Sequence, residues 1–297
     1  MFEDTFLNNN NVKIKPSRWL NTFARNVTSQ WGEDGIIEKA LEVIKDINKW
    51  CVEFGSWDGK THSNTFNLID KKDYSAVSIE GDSCRFQALL KTFEGNKKVT
   101  PLNTFVGFEE SNCLDSILKT TEIPTNFDLL SIDIDGNDYH VWQAVKQYKP
   151  KLVVIECNPS IPNPVEFVQP RDMRVTQGSS LLSIVKLAKT KGYELVAVTK
   201  SNGIFVDLKY FDLFGIKDNS VAVMRTDDSL ITHIFFGYDG KVFIRGCGEL
   251  PWQKIRLKES KMQHLPKWAR KQVGDRNILR RRLGSFVRRR LRKKSVV

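Results

Sequence analysis

Several common signatures are missing from this sequence of 297 residues, and each absence argues against a class of protein. The five cysteines are odd in number, widely spread and never in C-x-x-C spacing, which argues against a structural zinc site. No apolar run approaches the roughly 20 residues that a membrane-spanning helix needs. The first residues lack the basic and then apolar region of a secretion signal. We therefore expect a reduced, cytoplasmic protein, with Cys51 and Cys157 buried in strand-like runs.

The glycine-rich loops that bind pyrophosphate, G-x-G-x-x-G and G-x-x-x-x-G-K-[ST], are also absent. Instead, a strand-like run around Val52 ends in an acidic turn that contains Glu53, Gly55, Asp58 and Gly59. The two glycines allow a sharp turn and close approach of a ligand to the backbone. Carboxylates suit a cationic ligand with free ribose hydroxyls better than a diphosphate, and S-adenosylmethionine fits that description. An ordinary corner between a strand and a helix is the alternative.

A second acidic residue follows the next predicted strand. Glu80 ends the run 75–80, roughly 20 to 25 residues beyond the glycine turn, where nucleotide-binding α/β units place the acid that binds ribose hydroxyls. A lone acid after a strand is also a common helix cap. The pairing of Glu80 with the glycine turn favours recognition of adenosine, and the missing pyrophosphate loop argues against NAD.

Strand-like and helix-like segments alternate along most of the chain. Strands are predicted near 51–55, 75–80, 99–106, 127–133 and 151–157, with helices between them. This order predicts a Rossmann-like α/β fold, with a mostly parallel, doubly wound sheet and helices on both faces. The predicted organisation is a helical extension at 1–48, the α/β domain at 49–225, a β-rich extension at 226–260 and a basic amphipathic tail at 261–297.

Basic residues are concentrated near the C-terminus. Ten of them lie between Arg276 and Lys294 with no acidic residue among them, and the rest of the chain has 36 basic residues against 35 acidic ones. Apolar residues recur in this segment at helical spacing: Leu279, Leu283, Phe286, Val287 and Leu291. The pattern favours peripheral contact of 276–297 with an anionic membrane. Nucleic acid, an acidic partner, or a helix docked on its own domain are the alternatives.

Acidic residues also crowd the ends of two later strands. Asp133, Asp135 and Asp138 follow the strand 127–133, and Glu156 and Asn158 end the strand 151–157. In open α/β sheets, ligands bind beyond the carboxyl ends of the strands, so these groups should converge. Asp133, Glu156 and Asn158 are candidate ligands of Mg²⁺. Equally, the same groups could bind substrate hydroxyls without a metal.

Taken together, the motifs 53–59, 78–82 and 133–138 resemble those of class I S-adenosylmethionine-dependent methyltransferases, and most closely the FkbM-type family. The resemblance covers roughly residues 29–206. The strand-4 motif of the family has the form D-x-E-G-x-E, and this chain departs from it in having Asp135 and Asp138 where the family usually has Glu. Shorter acids could change the geometry around a metal or a substrate.

The resemblance implies a role for each matching residue. Glu53, Gly55, Asp58 and Gly59 would line the methionine end of the cofactor, and Glu80 would bind its ribose. Asn103 or Thr104 would lie near the adenine, and Gln30 in the turn 29–35 would close over the cofactor. Enzymes of this family methylate hydroxyls of sugars and natural products. Asp133 and Asp135 are then the candidate catalytic carboxylates, with Asp133 also beside the cofactor, and His140 is the candidate base.

A proline-rich loop at 158–178 leaves the same edge of the sheet and contains Arg171 and Arg174. A long loop over a site is commonly a lid. Two arginines could clamp an anionic acceptor, such as a nucleotide-linked or lipid-linked sugar, although ordinary surface charge explains them equally well.

Two other functions compete with O-methylation. Asp133-Ile134-Asp135 is also the D-x-D pattern of metal-dependent glycosyltransferases, and the basic tail would suit a nucleic-acid methyltransferase.

Overall fold

We describe a computed structural model of the protein, covering residues 13–270 and 278–294. The chain divides into two compact units, 1–226 and 227–297, which are described separately below. Within the described residues, every helix is too short or too polar to cross a membrane.

The first unit is built around a seven-stranded sheet with the strand order β3-β2-β1-β4-β5-β7-β6. Neighbours from β3 to β5 are parallel, whereas β7 is antiparallel to both β5 and β6. This order is that of the Rossmann-like class I methyltransferase fold, as predicted. The strands are β1 Trp50–Phe54, β2 Ser75–Ile79, β3 Val99–Leu102, β4 Leu129–Ile132, β5 Leu152–Glu156, β6 Tyr193–Val198 and β7 Asn202–Asp207.

Helices connect the strands and cover the sheet. They are α1 Glu33–Ile44, α2 Phe66–Lys72, α3 Ser83–Thr92, α4 Leu114–Leu118, α5 Asp138–Ala144, α6 Leu181–Thr190, α7 Leu208–Phe211 and α8 Val221–Met224. Two of the longer ones begin at side-chain caps, because Asp82 accepts from the N–H of Arg85 and Ser180 accepts from that of Ser183.

Alternation along the strands produces two cores, one on each face of the sheet. Val52 and Phe54 pack into one core with residues of α4, α5 and α6, whereas Cys51 packs into the other with residues of α1, α2 and α3. Successive side chains of a strand point to opposite faces, so a strand buried on both sides reads as a continuous apolar run. The sheet is therefore covered on both faces, and ligands have access at the carboxyl ends of its strands.

The second unit consists of short elements and one long helix. An antiparallel hairpin joins β8 Thr232–Phe236 to β9 Val242–Gly246, and a smaller one joins β10 Glu249–Leu250 to β11 Ile255–Arg256. The final helix, α9, spans Ile278–Lys294. The predicted tail also includes 271–277 and 295–297, which lie outside the described residues.

Candidate methyl-transfer site

The glycine turn after β1 packs directly against the end of β4. Gly55 has φ +73°, and a Cβ built at this position would lie 1.8 Å from the carbonyl oxygen of Asp133. Gly59 has φ +76°, and its Cβ would lie 2.5 Å from the ring of Phe93. Both positions need glycine, because an L side chain would be strained in the left-handed region and would meet a neighbour. The turn is thereby fixed beside Asp133.

Glu80 connects the ends of β1 and β2. Its carboxylate is buried and accepts the backbone N–H of Trp57 on one oxygen and that of Asp82 on the other, each at 2.8 Å. A carboxylate has about four acceptor positions, so two remain for other donors. These remaining positions suit the paired hydroxyls of a ribose.

Asn103 and Phe105 follow β3, which ends earlier than predicted. The Asn103 amide donates to the carbonyl of Glu80 at 2.8 Å, so its side chain joins β3 to β2. The ring of Phe105 packs where a Cβ of Gly81 would stand, yet it is 68% exposed. The exposed ring offers a stacking surface next to Glu80, three residues beyond the end of β3 and close to Asn103 and Thr104, the residues predicted near the adenine.

Glu53 and Asp58 organise the glycine turn from within. Glu53 is buried and accepts hydrogen bonds from the hydroxyls of Ser63 and Thr65 and from the N–H of Asn64. Burial raises the pKa of Glu53, and these three donors oppose the increase. Asp58 accepts from the N–H groups of residues 60 and 61 and from a hydroxyl. Both carboxylates therefore hold the loop 56–65 in shape.

The turn 26–34 lies against the same loop. Asp34 accepts three consecutive N–H groups, those of residues 27, 28 and 29, which fixes the turn before α1. The Thr28 hydroxyl donates to the carbonyl of Ser63, and Nε2 of Gln30 lies 2.6 Å from Nδ1 of His62. Gln30 is thus placed at the edge of the glycine turn.

Three carboxylates meet at the ends of β4 and β5. Oxygens of Asp133, Asp135 and Glu156 lie within 4.8 Å of one another. Asp135, on the turn after β4, adopts φ +56°, an uncommon conformation for a residue other than glycine. Asp138 is buried and accepts the N–H groups of Ile134 and Gly136, each at 2.9 Å, so it shapes this turn.

Burial and mutual repulsion make the carboxyl groups of Asp133, Asp138 and Glu156 hard to ionise. Burial, and then the charges of Asp138, Asp135 and Glu53, raise the pKa of Asp133 to about 8. Burial raises the pKa of Asp138 to about 6 against the effect of its backbone hydrogen bonds. Burial and the charge of Asp133 also raise the pKa of Glu156 well above its usual range. Near neutral pH the site therefore retains at least one proton.

Asn158 is not joined to this cluster. Its Nδ2 donates to the carbonyl of Gln177 at 2.7 Å, and its Oδ1 accepts from the N–H and hydroxyl of Ser160. Both polar atoms of the side chain are therefore engaged in the following loop. Among the predicted metal ligands, the structure brings together Asp133 and Glu156, with Asp135 as the third group.

His140 is buried in the first turn of α5 and holds the proline-rich loop. Its Nε2–H donates to the carbonyl oxygen of Gln169 at 2.8 Å, whereas Nδ1 is buried without a partner. Gln169 in turn accepts the N–H groups of residues 177 and 178 and donates to the carbonyl of Val175. Nε2 of His140 is thus engaged in the loop, and the role of His140 as base stays a prediction.

Both arginines of the loop contact neighbouring groups of the chain, and their role as a clamp stays a prediction. Arg171 donates to the carbonyl of Phe108 at 2.9 Å and lies 4.5 Å from the centre of the Phe108 ring. Arg174 pairs with Asp172 at 2.6 Å and is almost fully exposed. Arg171 and His140 also line a cavity of about 620 Å³ beside α4 and α5, whose lining includes neither Asp133 nor Glu156.

A family model described as the methyltransferase FkbM domain matches residues 60–194. The chain contains an FkbM methyltransferase domain. The matched segment includes Glu80, Asp133 and Glu156 and begins directly after the glycine turn. A search of curated proteins found no match.

Solved structures similar to the chain include three methyltransferases. The CurJ carbon methyltransferase is 11% identical, with 58% of this chain and 52% of that chain covered and a TM-score of 0.39. A SAM-dependent methyltransferase from Aquifex aeolicus is 13% identical, with coverages of 65% and 98% and a TM-score of 0.36. The glycopeptide N-methyltransferase MtfA, complexed with S-adenosylmethionine, is 11% identical, with coverages of 57% and 85% and a TM-score of 0.33.

The FkbM domain identifies the protein as an S-adenosylmethionine-dependent methyltransferase, and the glycine turn just before the domain and Glu80 within it fit that cofactor. The glycine turn leaves room for a ligand against the backbone at Gly55, and Glu80 keeps free acceptor positions for ribose hydroxyls. Sequence patterns missed Phe105 and Trp57, an exposed residue with φ +49° whose N–H is held by Glu80. The only available signal in the sequence was that each is an aromatic residue three positions after the end of a strand.

Proposed function

We propose that the FkbM domain is an O-methyltransferase acting on a hydroxyl of a sugar or glycan-related acceptor. The proposal rests mainly on Asp133, a carboxyl group that is half-buried, carries a raised pKa and stands beside the glycine turn. The family resemblance, which implies hydroxyl acceptors, supports it.

The first requirement is that the acceptor oxygen lie in line with the methyl group to be transferred. Positioning of this kind supplies much of the rate in methyl transfer. The contact between Gly55 and the main chain of Asp133 sets the position of the Asp133 carboxyl relative to the glycine turn. A hydroxyl held by Asp133 and Glu156 would therefore stand next to the cofactor.

The second requirement is a base for the hydroxyl proton. The bound cofactor supplies an electrophilic methyl carbon on a sulfonium. The acceptor oxygen would form its bond to this carbon as the carbon–sulfur bond breaks, with S-adenosylhomocysteine as the leaving group, and Asp133 would take the proton of the hydroxyl. General bases are most effective when their pKa lies near the working pH, and a value of about 8 meets this condition.

Mg²⁺ at the same carboxylates is a second candidate, favoured by the oxygens of Asp133, Asp135 and Glu156 within 4.8 Å of one another. Hard cations prefer oxygen ligands of this kind. Titration with Mg²⁺ at pH 8, followed by thermal unfolding, tests the idea, with Glu156→Gln as the matched variant. A metal site would raise the melting temperature of the wild type and not that of the variant.

The glycosyltransferase alternative would use Asp133 and Asp135 to hold a metal and a sugar diphosphate. The FkbM domain and the free acceptor positions of Glu80 favour methyl transfer instead. Calorimetric titrations with S-adenosylmethionine and with a UDP-sugar distinguish the two, because only the first should bind.

A cytoplasmic setting stays a prediction. The thiols of Cys51 and Cys157 are free and buried, so they are shielded from oxidants.

The decisive experiment is an acceptor screen. Purified protein is incubated with S-adenosylmethionine and separate pools of free glycans, nucleotide-linked sugars and lipid-linked sugars, and products are examined by mass spectrometry. We expect a gain of one methyl group on a hydroxyl oxygen, with an equal amount of S-adenosylhomocysteine. Asp133→Asn is the control and should bind cofactor without forming product. A methyl group found on nitrogen or carbon would refute the proposal.

A further inference from the structure

The second unit carries all of the excess positive charge of the protein. Residues 227–297 include 19 lysines and arginines and six acidic residues, whereas residues 1–226 include 27 basic and 29 acidic residues. The imbalance is thus a property of one compact unit of 71 residues. A surface of this charge attracts anionic partners over a distance of about a Debye length.

The final helix has an apolar stripe on one side. Leu279, Leu283 and Phe286 follow one another at intervals of four and three residues, so they share a face of α9. Their exposed fractions are 73%, 55% and 62%. Large apolar side chains on one face of a helix rarely stay in water unless a partner covers them.

The helix is docked within its unit through a different face. Gly284 is buried, a Cβ there would lie 3.4 Å from the carbonyl oxygen of Ala269, and the guanidinium of Arg288 donates to that oxygen at 2.6 Å. At about 100° per residue, Gly284 and Arg288 lie on roughly the opposite side of the helix from the apolar stripe. Packing within the unit therefore does not use the stripe.

The hairpin β8–β9 exposes further apolar and aromatic residues. Phe236 and Tyr238, at the end of β8 and in the turn that follows, are 70% exposed and fully exposed respectively. Lys241, just before β9, and Arg245, on β9, lie over the ring of Phe243, and both pair with Glu259. Aromatic rings flanked by basic side chains are typical of surfaces that sit at the boundary between lipid and water.

We propose that residues 227–297 form a module that binds the surface of anionic lipid bilayers, with the Leu279–Leu283–Phe286 stripe buried at the interface. The charge of the unit selects an anionic surface, and the exposed stripe selects one with an apolar interior. Nucleic acid would satisfy the charge but offers nothing comparable to cover leucines, because single strands are bound by aromatic stacking and basic grooves.

The test is sedimentation of the full-length protein with vesicles. Wild type is mixed at low and high salt with vesicles of phosphatidylcholine alone or with added phosphatidylserine. We expect binding only to the anionic vesicles and a loss of binding at high salt. The double variant Leu283→Glu/Phe286→Glu should bind at least about tenfold more weakly, because two apolar side chains no longer enter the interface.

A matched control uses an exposed leucine of the first unit. Leu208 is 56% exposed, and Leu208→Glu should leave vesicle binding unchanged. Circular dichroism and titration with S-adenosylmethionine verify that both variants are folded, so the result does not depend on the acceptor. The proposal would be overturned if the wild-type protein did not bind anionic vesicles. It would also be overturned if the wild-type protein bound RNA and the double variant bound vesicles as strongly as the wild type.

Discussion

The carbonyl oxygen of Asp133 occupies the space in which a side chain at Gly55 would begin. This contact links the two halves of the proposed site, since Gly55 belongs to the turn proposed to receive the cofactor and Asp133 is the proposed base. A change at Gly55 should therefore disturb both halves.

Gly55→Ala is expected to abolish cofactor binding and to lower the melting temperature. The Cβ would stand 1.8 Å from a main-chain atom, and the left-handed conformation itself costs an L residue roughly 1–2 kcal/mol. Gly95→Ala is the matched control, because Gly95 has φ +77° but open space around its Cβ. The control measures the cost of the left-handed backbone conformation alone. If the two substitutions lowered the melting temperature and cofactor binding equally, the contact between Gly55 and Asp133 would be unimportant.

Glu80→Ala should weaken binding of S-adenosylmethionine by about 1.5–3 kcal/mol, the usual value of hydrogen bonds to a charged group. A smaller loss of stability should accompany it, because Glu80 also holds the N–H groups of Trp57 and Asp82. Calorimetric titration measures the first effect and thermal unfolding the second. Asp82→Asn serves as the control, since it keeps the oxygen that caps α3. If folded Glu80→Ala bound S-adenosylmethionine as tightly as the wild type, Glu80 would not be the residue that binds the ribose hydroxyls.

Much of this fold was predictable from the sequence, because strands buried on both faces read as apolar runs separated by helical segments. The direction and position of β7 were not predictable, because nothing in the run 202–207 shows that β7 is antiparallel and lies between β5 and β6. The glycine turn and Glu80 could be located because their chemistry is local to strand ends.

The roles of residues whose hydrogen-bond partners are distant in sequence could not be predicted. His140 is held by Gln169, 29 residues away, and Glu53 by the segment 63–65. Sequence spacing cannot show which polar groups are already paired. Asn158 is different, because its contact with Ser160 is a local turn of the kind that asparagine often forms.

His140→Gln should retain most of the activity, because glutamine can still donate a hydrogen bond toward the carbonyl of Gln169. His140→Ala should instead raise KM for the acceptor by loosening the loop 158–178. Steady-state kinetics of both variants decide the matter. Loss of a general base typically lowers kcat by 10²–10⁴-fold, so a fall of that size in His140→Gln would restore the histidine as the base.

Asp133→Asn should stop methyl transfer while leaving the affinity for S-adenosylmethionine nearly unchanged. It should also stabilise the protein. The folded pKa of about 8 lies above the ordinary value of 3.8, so folding favours the protonated form, and the stability that this provides declines as pH rises toward 8. Asparagine resembles the protonated acid at every pH. The gain in melting temperature should therefore be small at pH 4 and grow to pH 8, by roughly 2–4 °C for each kcal/mol.

Thermal unfolding of wild type and Asp133→Asn across this pH range measures the effect. Asp172→Asn provides a control of opposite sign, because hydrogen bonds from Arg174 lower the pKa of Asp172 to about 2. That substitution should not stabilise the protein at any pH, and its effect should be small because the pair with Arg174 is exposed to solvent. A stabilisation by Asp133→Asn that is constant with pH would show that the Asp133 carboxyl is ionised as easily in the folded protein as in the unfolded chain. Its assignment as a base active near pH 8 would then fail, even if the variant were inactive.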